Sequence, residues 1–227
     1  MDYVSRSRTQ DLAKNPFRAI AEPRPMANRK LAAIVGVTGV LTVAVAGAAN
    51  AARDGMHGDP AAAAPYWRYQ QQDLDCGEMA VADVIGQISG HEPSEDEITA
   101  AAGTIPSASH PGPIYRPGGR TGNGDLVVLL AHYGVRATGD RTDTDTLAQD
   151  LDRGRKVIVG LNDKVIWDEP GNRTRENHFV VVTGIDTEAG VVHLNDSGIE
   201  AGRDEQVALA TFERAWATSD NFAVVTG

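Results

Sequence analysis

The hydrophobic period of this 227-residue chain changes near residue 155, and that change limits its fold more than any other feature. Before it, apolar residues recur at helical spacing. From Cys76, the positions Met79, Ala80, Ala82, Val84, Ile85 and Ile88 line one helix, which Gly90 stops. Pro93-Ser94-Glu95-Asp96-Glu97-Ile98 starts a second, with Pro93 or Ser94 near its cap. Residues 125–133, ended by Gly134, read as a buried helix, and residues 144–153 as another with a threonine cap and Gly154 as its stop. Past residue 155 the runs become short and β-branched: 156–161, 179–183, 190–194, 204–210 and 222–225, with a helical turn at 212–216. Helices first and an antiparallel sheet second predict the α+β class.

The N-terminal part is of another kind. Residues 31–49 carry no charge over 19 positions and follow Arg29-Lys30, a length that just reaches across a bilayer core. Residues 1–51 hold seven basic and three acidic side chains, so the basic segment 1–30 is expected in the cytoplasm and the rest outside. Ala49-Asn50-Ala51 fits a small-x-small cleavage site. Residues 31–51 therefore read as a cleaved signal peptide or an uncleaved signal-anchor, which would hold the chain to the membrane through 31–49. A buried core helix is the third alternative. Residues 52–65, with Gly, Pro and four alanines, read as a linker, and residues 66–227 as the folded domain.

The remainder of the chain carries 14 basic and 28 acidic groups. A body this acidic has no basic stripe with which to neutralise phosphates, which argues against nucleic acid as a partner. The six histidines lack metal-ligand spacing and a single cysteine rules out a multi-cysteine zinc site, so neither metal nor cofactor is expected. Residues 105–124, rich in Gly, Pro and Ser, read as a long loop, and loops of that length often form functional rims.

Cys76 is the only cysteine. An exported domain with one thiol has no internal disulfide to explain it. An intermolecular bridge, an inert buried thiol and a nucleophile stay open. Asp75 in the cap position with Glu78 three residues on is a capping signature, which places Cys76 in the first helical turn. Unpaired N–H groups and the helix dipole there favour an anion, and hence the thiolate. Gly77 leaves room for a substrate backbone beside the sulfur. The helix start offers a backbone donor for an oxyanion, and the Gln70 side chain could offer a second.

A histidine and an acid come from the strands. If residues 178–185 and 191–197 form a hairpin over the five-residue loop 186–190, Ile185 faces Val191. His178 and Asp196 then share a face as diagonal neighbours, and Asn195 points the other way. A loop with an even number of residues reverses this and selects Asn195. The odd loop is favoured, with Asp196 orienting His178 and Asn195 as the alternative third member.

Together these residues resemble the bacteriocin-processing peptidase family, papain-like proteases that cut after double-glycine leaders. The resemblance rests on Gln70 six residues before Cys76, on Asp75-Cys76-Gly77, on Asn177-His178-Phe179-Val180-Val181-Val182-Thr183-Gly184, on Leu194-Asn195-Asp196-Ser197, and on a tail through residue 216. It covers residues 66–225. It implies a papain-like α+β fold, an N-terminal helical part carrying the Cys76 helix packed on a C-terminal antiparallel sheet carrying His178 and Asp196. It further implies Cys76 as nucleophile, His178 as base, Asp196 as orienting acid and Gln70 as oxyanion donor. The chain departs from the family in having no fused transporter, in its export segment, and in Ser197 where relatives often place proline. The expectation is an extracytoplasmic thiol hydrolase, secreted or anchored, acting on peptide, protein or cell-wall peptide. The second reading is a catalytically silent papain-like module that binds peptides or cell-wall material.

Overall fold

The computed structural model describes residues 55–227. The basic segment 1–30 and the stretch 31–51, with the signal and anchor readings attached to it, lie outside the described residues. Among the described residues, no helix is long and apolar enough to cross a membrane.

In chain order the elements are β1 (Met56–Gly58), α1 (Pro60–Ala63), a 3-10 turn (Ala64–Tyr66), α2 (Cys76–Ser89), α3 (Glu95–Ala102), α4 (Asn123–His132), β2 (Ala137–Arg141), α5 (Thr144–Asp152), β3 (Val157–Leu161), α6 (Asp163–Ile166), β4 (His178–Asp186), β5 (Val191–Asn195), β6 (Glu205–Ala208), α7 (Leu209–Trp216) and β7 (Phe222–Thr226), with a 3-10 turn (Ala217–Ser219) before β7. The strands form one antiparallel sheet in the order β2-β7-β3-β4-β5-β6. β4 is long enough to take two neighbours on one edge: β3 pairs with residues 178–182 and β1 with residues 184–186.

The fold is α+β, with the Cys76 helix packed on an antiparallel sheet that carries His178 and Asp196 at its end. Its central strands β3, β4 and β7 carry unbroken apolar runs because both faces are covered there. Ile158, Phe179, Val181 and Val224 pack with the side chains of α2, α3 and α4. Val157, Val159, Leu161, Val180 and Val182 pack on the other side with α5 and α7, where Phe212 and Trp216 are fully buried. Helix α2 lies between the sheet and α3 and α4. Residues 77–86 are buried without a break, including Asp83 and Glu78, so the helix has no wet face through its middle. Ile88, expected on its apolar side, is 48% exposed in the last turn. Gly90 ends α2 in the left-handed conformation at φ 76°, as the stop signal required.

Ser94 caps α3 with a full capping box to Glu97. α5 is capped by the Asp143 side chain, which accepts from Thr146 N–H, and not by Thr144. Two elements had no sequence signal. β2 is almost wholly exposed and is held by backbone pairing to β7, and α6 is a single turn capped by Asn162. The linker reading of 52–65 fails over its described part. Met56–Gly58 is a strand of the sheet, and Pro60–Ala63 is a helix that Asp59 caps through Ala62 N–H. Backbone pairing, to which composition is blind, holds this stretch.

The hairpin that carries the histidine departs from expectation twice, and the two departures cancel. Asp186 pairs with Val191, so the loop is the four residues 187–190 and Ile185 faces Val192. That even loop would turn Asp196 away from His178. A β-bulge between Val182 and Gly184 then shifts the register by one, and Val181 faces Asn195 as the odd loop had required. The extra residue, Thr183, is buried and donates its hydroxyl to the His193 carbonyl at 3.1 Å.

Gly184 beside the bulge is where β1 and α1 close on the sheet. A Cβ there would lie 2.6 Å from Pro60 Cγ and 3.2 Å from the His57 carbonyl oxygen. Gly184→Ala is expected to destabilise the domain by about 1–3 kcal/mol, the usual cost of forcing a methyl into a packed contact. Urea unfolding checks this, and an unchanged midpoint would show that β1 yields freely.

Candidate active site

His178 opens β4 and Asp196 follows the last residue of β5, so both sit where the sheet ends. His178 Nε2 donates to Asp196 Oδ1 at 2.7 Å; the ring is nearly buried and the carboxylate fully so. Burying such a pair is costly unless the remaining lone pairs find donors. Here they do: Gly198 N–H donates to Oδ1 at 2.7 Å and Trp167 Nε1–H to Oδ2 at 3.2 Å. Trp67 Nε1–H donates to the Asp196 carbonyl at 2.6 Å, fixing the backbone as well.

The protonation states follow from this setting. Burial disfavours charge on His178, yet the Asp196 carboxylate and the Cys76 sulfur outweigh it and hold the imidazole well above 6.5. Burial likewise opposes ionisation of Asp196, but His178, the Gly198 N–H and Trp167 hold it below its ordinary value. Glu205, at the start of β6, lies beside the pair. Burial first, and the Asp196 charge second, push it up to about 7.

Cys76 is the first residue of α2 and is half-buried, with its sulfur against the same imidazole. The capping signature in front of it is not realised. Asp75 makes no side-chain cap bond, and Glu78 turns instead to Thr121, whose hydroxyl donates to Oε1. Gly77 is also used differently from expectation. A Cβ there would stand 3.1 Å from Thr121 Cβ and 3.2 Å from Leu126 Cδ2, so the missing side chain makes room for the protein and not for a substrate.

Asn195 lies apart from the histidine. Its amide donates to Asp83 Oδ2 at 2.7 Å and to the Ala63 carbonyl at 3.1 Å, on the α2 side of the sheet. Gln70 is fixed to the segment that carries Asp196: its backbone N–H donates to the Ser197 carbonyl at 2.9 Å, and Ser197 Oγ donates to its Oε1 at 3.0 Å. One proton of its side-chain amide goes to the Gln72 carbonyl at 3.1 Å. Ser197, which stands where relatives often place proline, thus ties Gln70 to the segment that carries Asp196.

The 105–124 loop is a wall of this site. Asp125 shapes it, accepting from Ser107 Oγ and from the backbone N–H groups of Ala108, Ser109 and Gly122. Its far end passes Thr121 over Gly77 and sends Arg120 to the Asn177 carbonyl at 2.8 Å. The loop therefore reaches from the residue after Cys76 to the residue before His178.

Sequence reading missed Trp167 and Gly198. The Trp167 ring lies 5.4 Å from the His178 ring, and a Cβ on Gly198 would be 3.0 Å from both His178 Cε1 and Trp167 Cη2. The signal available for Trp167 was a lone tryptophan in a polar loop. Of the other histidines, His57 pairs with Asp152 at 2.9 Å, His110 lies 3.7 Å from Asp125, and His193 is buried on Asp204 at 2.7 Å. Among the described residues no cluster of side chains could hold a metal ion.

The model of the Peptidase_C39 like family matches residues 64–224. Uncharacterized proteins of Mycobacterium tuberculosis and Mycobacterium bovis are each 46% identical over 222 residues, 87% of this chain and 95% of the relative. A crystal structure assigned as a C39-like peptidase from Bacillus anthracis shares the fold with a TM-score of 0.55 and 18% identity, over 72% of this chain and 95% of that one. A double-glycine-motif protease from a transporter, solved with its leader peptide, is similar at a TM-score of 0.47 and 17% identity, over 70% of this chain and 88% of that chain.

The shifts at the buried pair set a pH window for stability. The lowered carboxylate contributes above its unfolded value near 3.8, and its contribution is lost as pH falls through the folded value. The raised imidazole contributes fully below 6.5 and is lost as pH rises through its folded value. Asp196→Asn is expected to cost about 3–5 kcal/mol between these limits, the range for leaving one buried partner alone. In urea melts the loss should be largest near pH 6 and smaller at both extremes. A pH-independent loss would show that the pair is not charged.

Proposed function

Because this chain belongs to the Peptidase_C39 like family, we propose that it is a cysteine peptidase that cleaves peptide bonds with Cys76, His178, Asp196 and Gln70. The observation that carries the reading is the bond from His178 Nε2 to Asp196 Oδ1 at 2.7 Å, in a buried setting where Cys76 meets the same ring. With Nε2 committed to Asp196, Nδ1 is the nitrogen left for the thiol. The imidazole is favoured in its charged form, which matches a thiolate–imidazolium pair before substrate arrives.

The thiolate adds to the substrate carbonyl carbon, and the negative charge passes to the carbonyl oxygen. The Cys76 backbone N–H, in the first turn of α2, and the second amide proton of Gln70 stabilise that oxygen. His178 gives its proton to the departing amine, leaving a thioester on Cys76. It then takes a proton from water, whose attack releases the acid and restores the thiol pair. Asp196 keeps the ring in one tautomer and one orientation throughout. Trp167 and Gly198 keep Asp196 dry and aimed.

We place this chemistry outside the cytoplasm, on the strength of the uncharged stretch 31–49 behind Arg29-Lys30. Cell fractionation with N-terminal sequencing of the mature protein tests that assignment, and a cytosolic chain with an intact N-terminus would sink it. The activity has its own test. Cys76 should alkylate rapidly at neutral pH and lose that reactivity in His178→Ala. A proteome-derived peptide library should be cut by the wild type and left intact by Cys76→Ser. Gln70→Ala should lower kcat by roughly 10²–10³, the usual effect of losing one oxyanion donor. A slow, ordinary thiol with no Cys76-dependent cleavage would favour a silent peptide-binding module instead.

A further inference from the structure

Two carboxyl groups meet immediately before the proposed nucleophile. Asp75 has no exposed surface, and neither of its carboxyl oxygens meets an N–H or hydroxyl donor. What faces it is Glu95, the first residue of α3. Glu95 Oε1 accepts the backbone N–H groups of both Gln71 and Gln72 at 2.7 Å, a pair of bonds suited to an ionised carboxylate. Counted as two carboxylates, Asp75 and Glu95 have nothing to share except repulsion. With one proton between them they form an O–H···O⁻ bond, and one of the two buried oxygens of Asp75 gains a partner.

The surroundings offer little other compensation: only its own backbone N–H, outside hydrogen-bonding geometry, favours the charged form. The charged and titratable groups around Asp75 are Glu95 on α3, Glu78 on its own helix and, across Gln72, Tyr115 of the 105–124 loop and Asp73; all are acidic. Tyr115 spends its hydroxyl on Gln72 Oε1 at 2.8 Å. Between Asp73 and Asp75, Leu74 adopts φ 67°, a left-handed conformation that a leucine keeps only when its neighbours enforce it.

We propose that Asp75 is a positioning residue in its protonated form: it donates to Glu95, and the pair clamps the 70–75 segment to α3. The clamp rests on the peptidase reading in one respect, that this segment carries the oxyanion donor. Gln70 is tied at one end to Ser197, and the Asp75–Glu95 pair supplies the tie at the other. Burial, the Glu95 contact and the charges of Glu95 and Glu78 push Asp75 up to about 8. The folded value exceeds the unfolded one, so this contribution is complete in acid and is lost as pH rises through about 8. Above that point two carboxylates oppose one another, the N–H groups of Gln71 and Gln72 lose a settled acceptor, and Gln70 loses its orientation.

The test is amide exchange at Gln71 and Gln72 in the full-length chain at pH 6.5 and 9.5, corrected for intrinsic exchange rates. Wild-type protection should fall at least tenfold between the two. Asp75→Asn, whose carboxamide donates without titrating, should stay protected at both, and Asp75→Ala, which removes the titrating charge, should show no tenfold fall between them. Unchanged wild-type protection at pH 9.5, or the same fall in Asp75→Asn, would overturn the clamp. Cys76-dependent library cleavage at the same two pH values should decline for the wild type more than for Asp75→Asn. Absence of cleavage at any pH would remove the peptidase reading and leave the exchange result to decide the clamp.

Discussion

The buried pair of His178 and Asp196 is the constraint to which the rest of the site answers. Desolvating an imidazolium and a carboxylate is unfavourable unless each unused lone pair meets a donor. The neighbouring residues can be understood as those donors: Gly198 through its backbone, Trp167 through its indole, and Trp67 by holding the Asp196 carbonyl. The pair also demands that two strand ends present their side chains on one face. The bulge at Thr183 meets that demand, because the four-residue hairpin loop alone would have placed Asn195 there.

That compensation shows what could be read in advance and what could not. Cys76, His178 and Asp196 each carry a local signal, a helix start or a strand end, and the two-residue period of strands links the last two. Parity reached the right face through a loop one residue too long and a bulge left out of account. A bulge has no composition of its own; the only trace is Gly184, whose bareness serves the approach of Pro60. The contact of Trp167 could not be placed for a related reason. Its contact with Asp196 joins an irregular loop to a strand end, and no periodicity spans them. Residues 56–63 were misread because Gly, Pro and Ala describe flexibility in isolation, whereas pairing with β4 orders them.

Gly77 makes the same point within the site. Glycine beside the proposed nucleophile invites the thought of substrate access, yet the space it leaves is filled by Thr121 and Leu126. The 105–124 loop, long and rich in Gly and Pro, runs from Gly77 to Asn177 beside the proposed catalytic residues. Part of its order comes from a buried carboxylate, Asp125, which gathers three backbone N–H groups and a serine hydroxyl. A side chain that organises a loop sixteen or so residues upstream gives no local sign of doing so.

The acids around the thiol resolve an apparent conflict. A chain with ten net negative charges, with Asp75 and Glu78 buried and Glu205 half-buried beside the proposed catalytic residues, would be expected to resist a second anion at Cys76. Formal charge overstates the field. Glu78 and Glu205 are pushed up to about 7 and Asp75 to about 8, chiefly by burial, so near neutrality much of this acidity is held as protons. Asp196 is the carboxyl whose folded value falls, and it is the one bonded to the imidazole. The charge next to the sulfur is then governed by one ion pair and not by the sum of acids. In neutral form these carboxyls set no repelling charge against a thiolate at Cys76, and Glu78 accepts from the Thr121 hydroxyl.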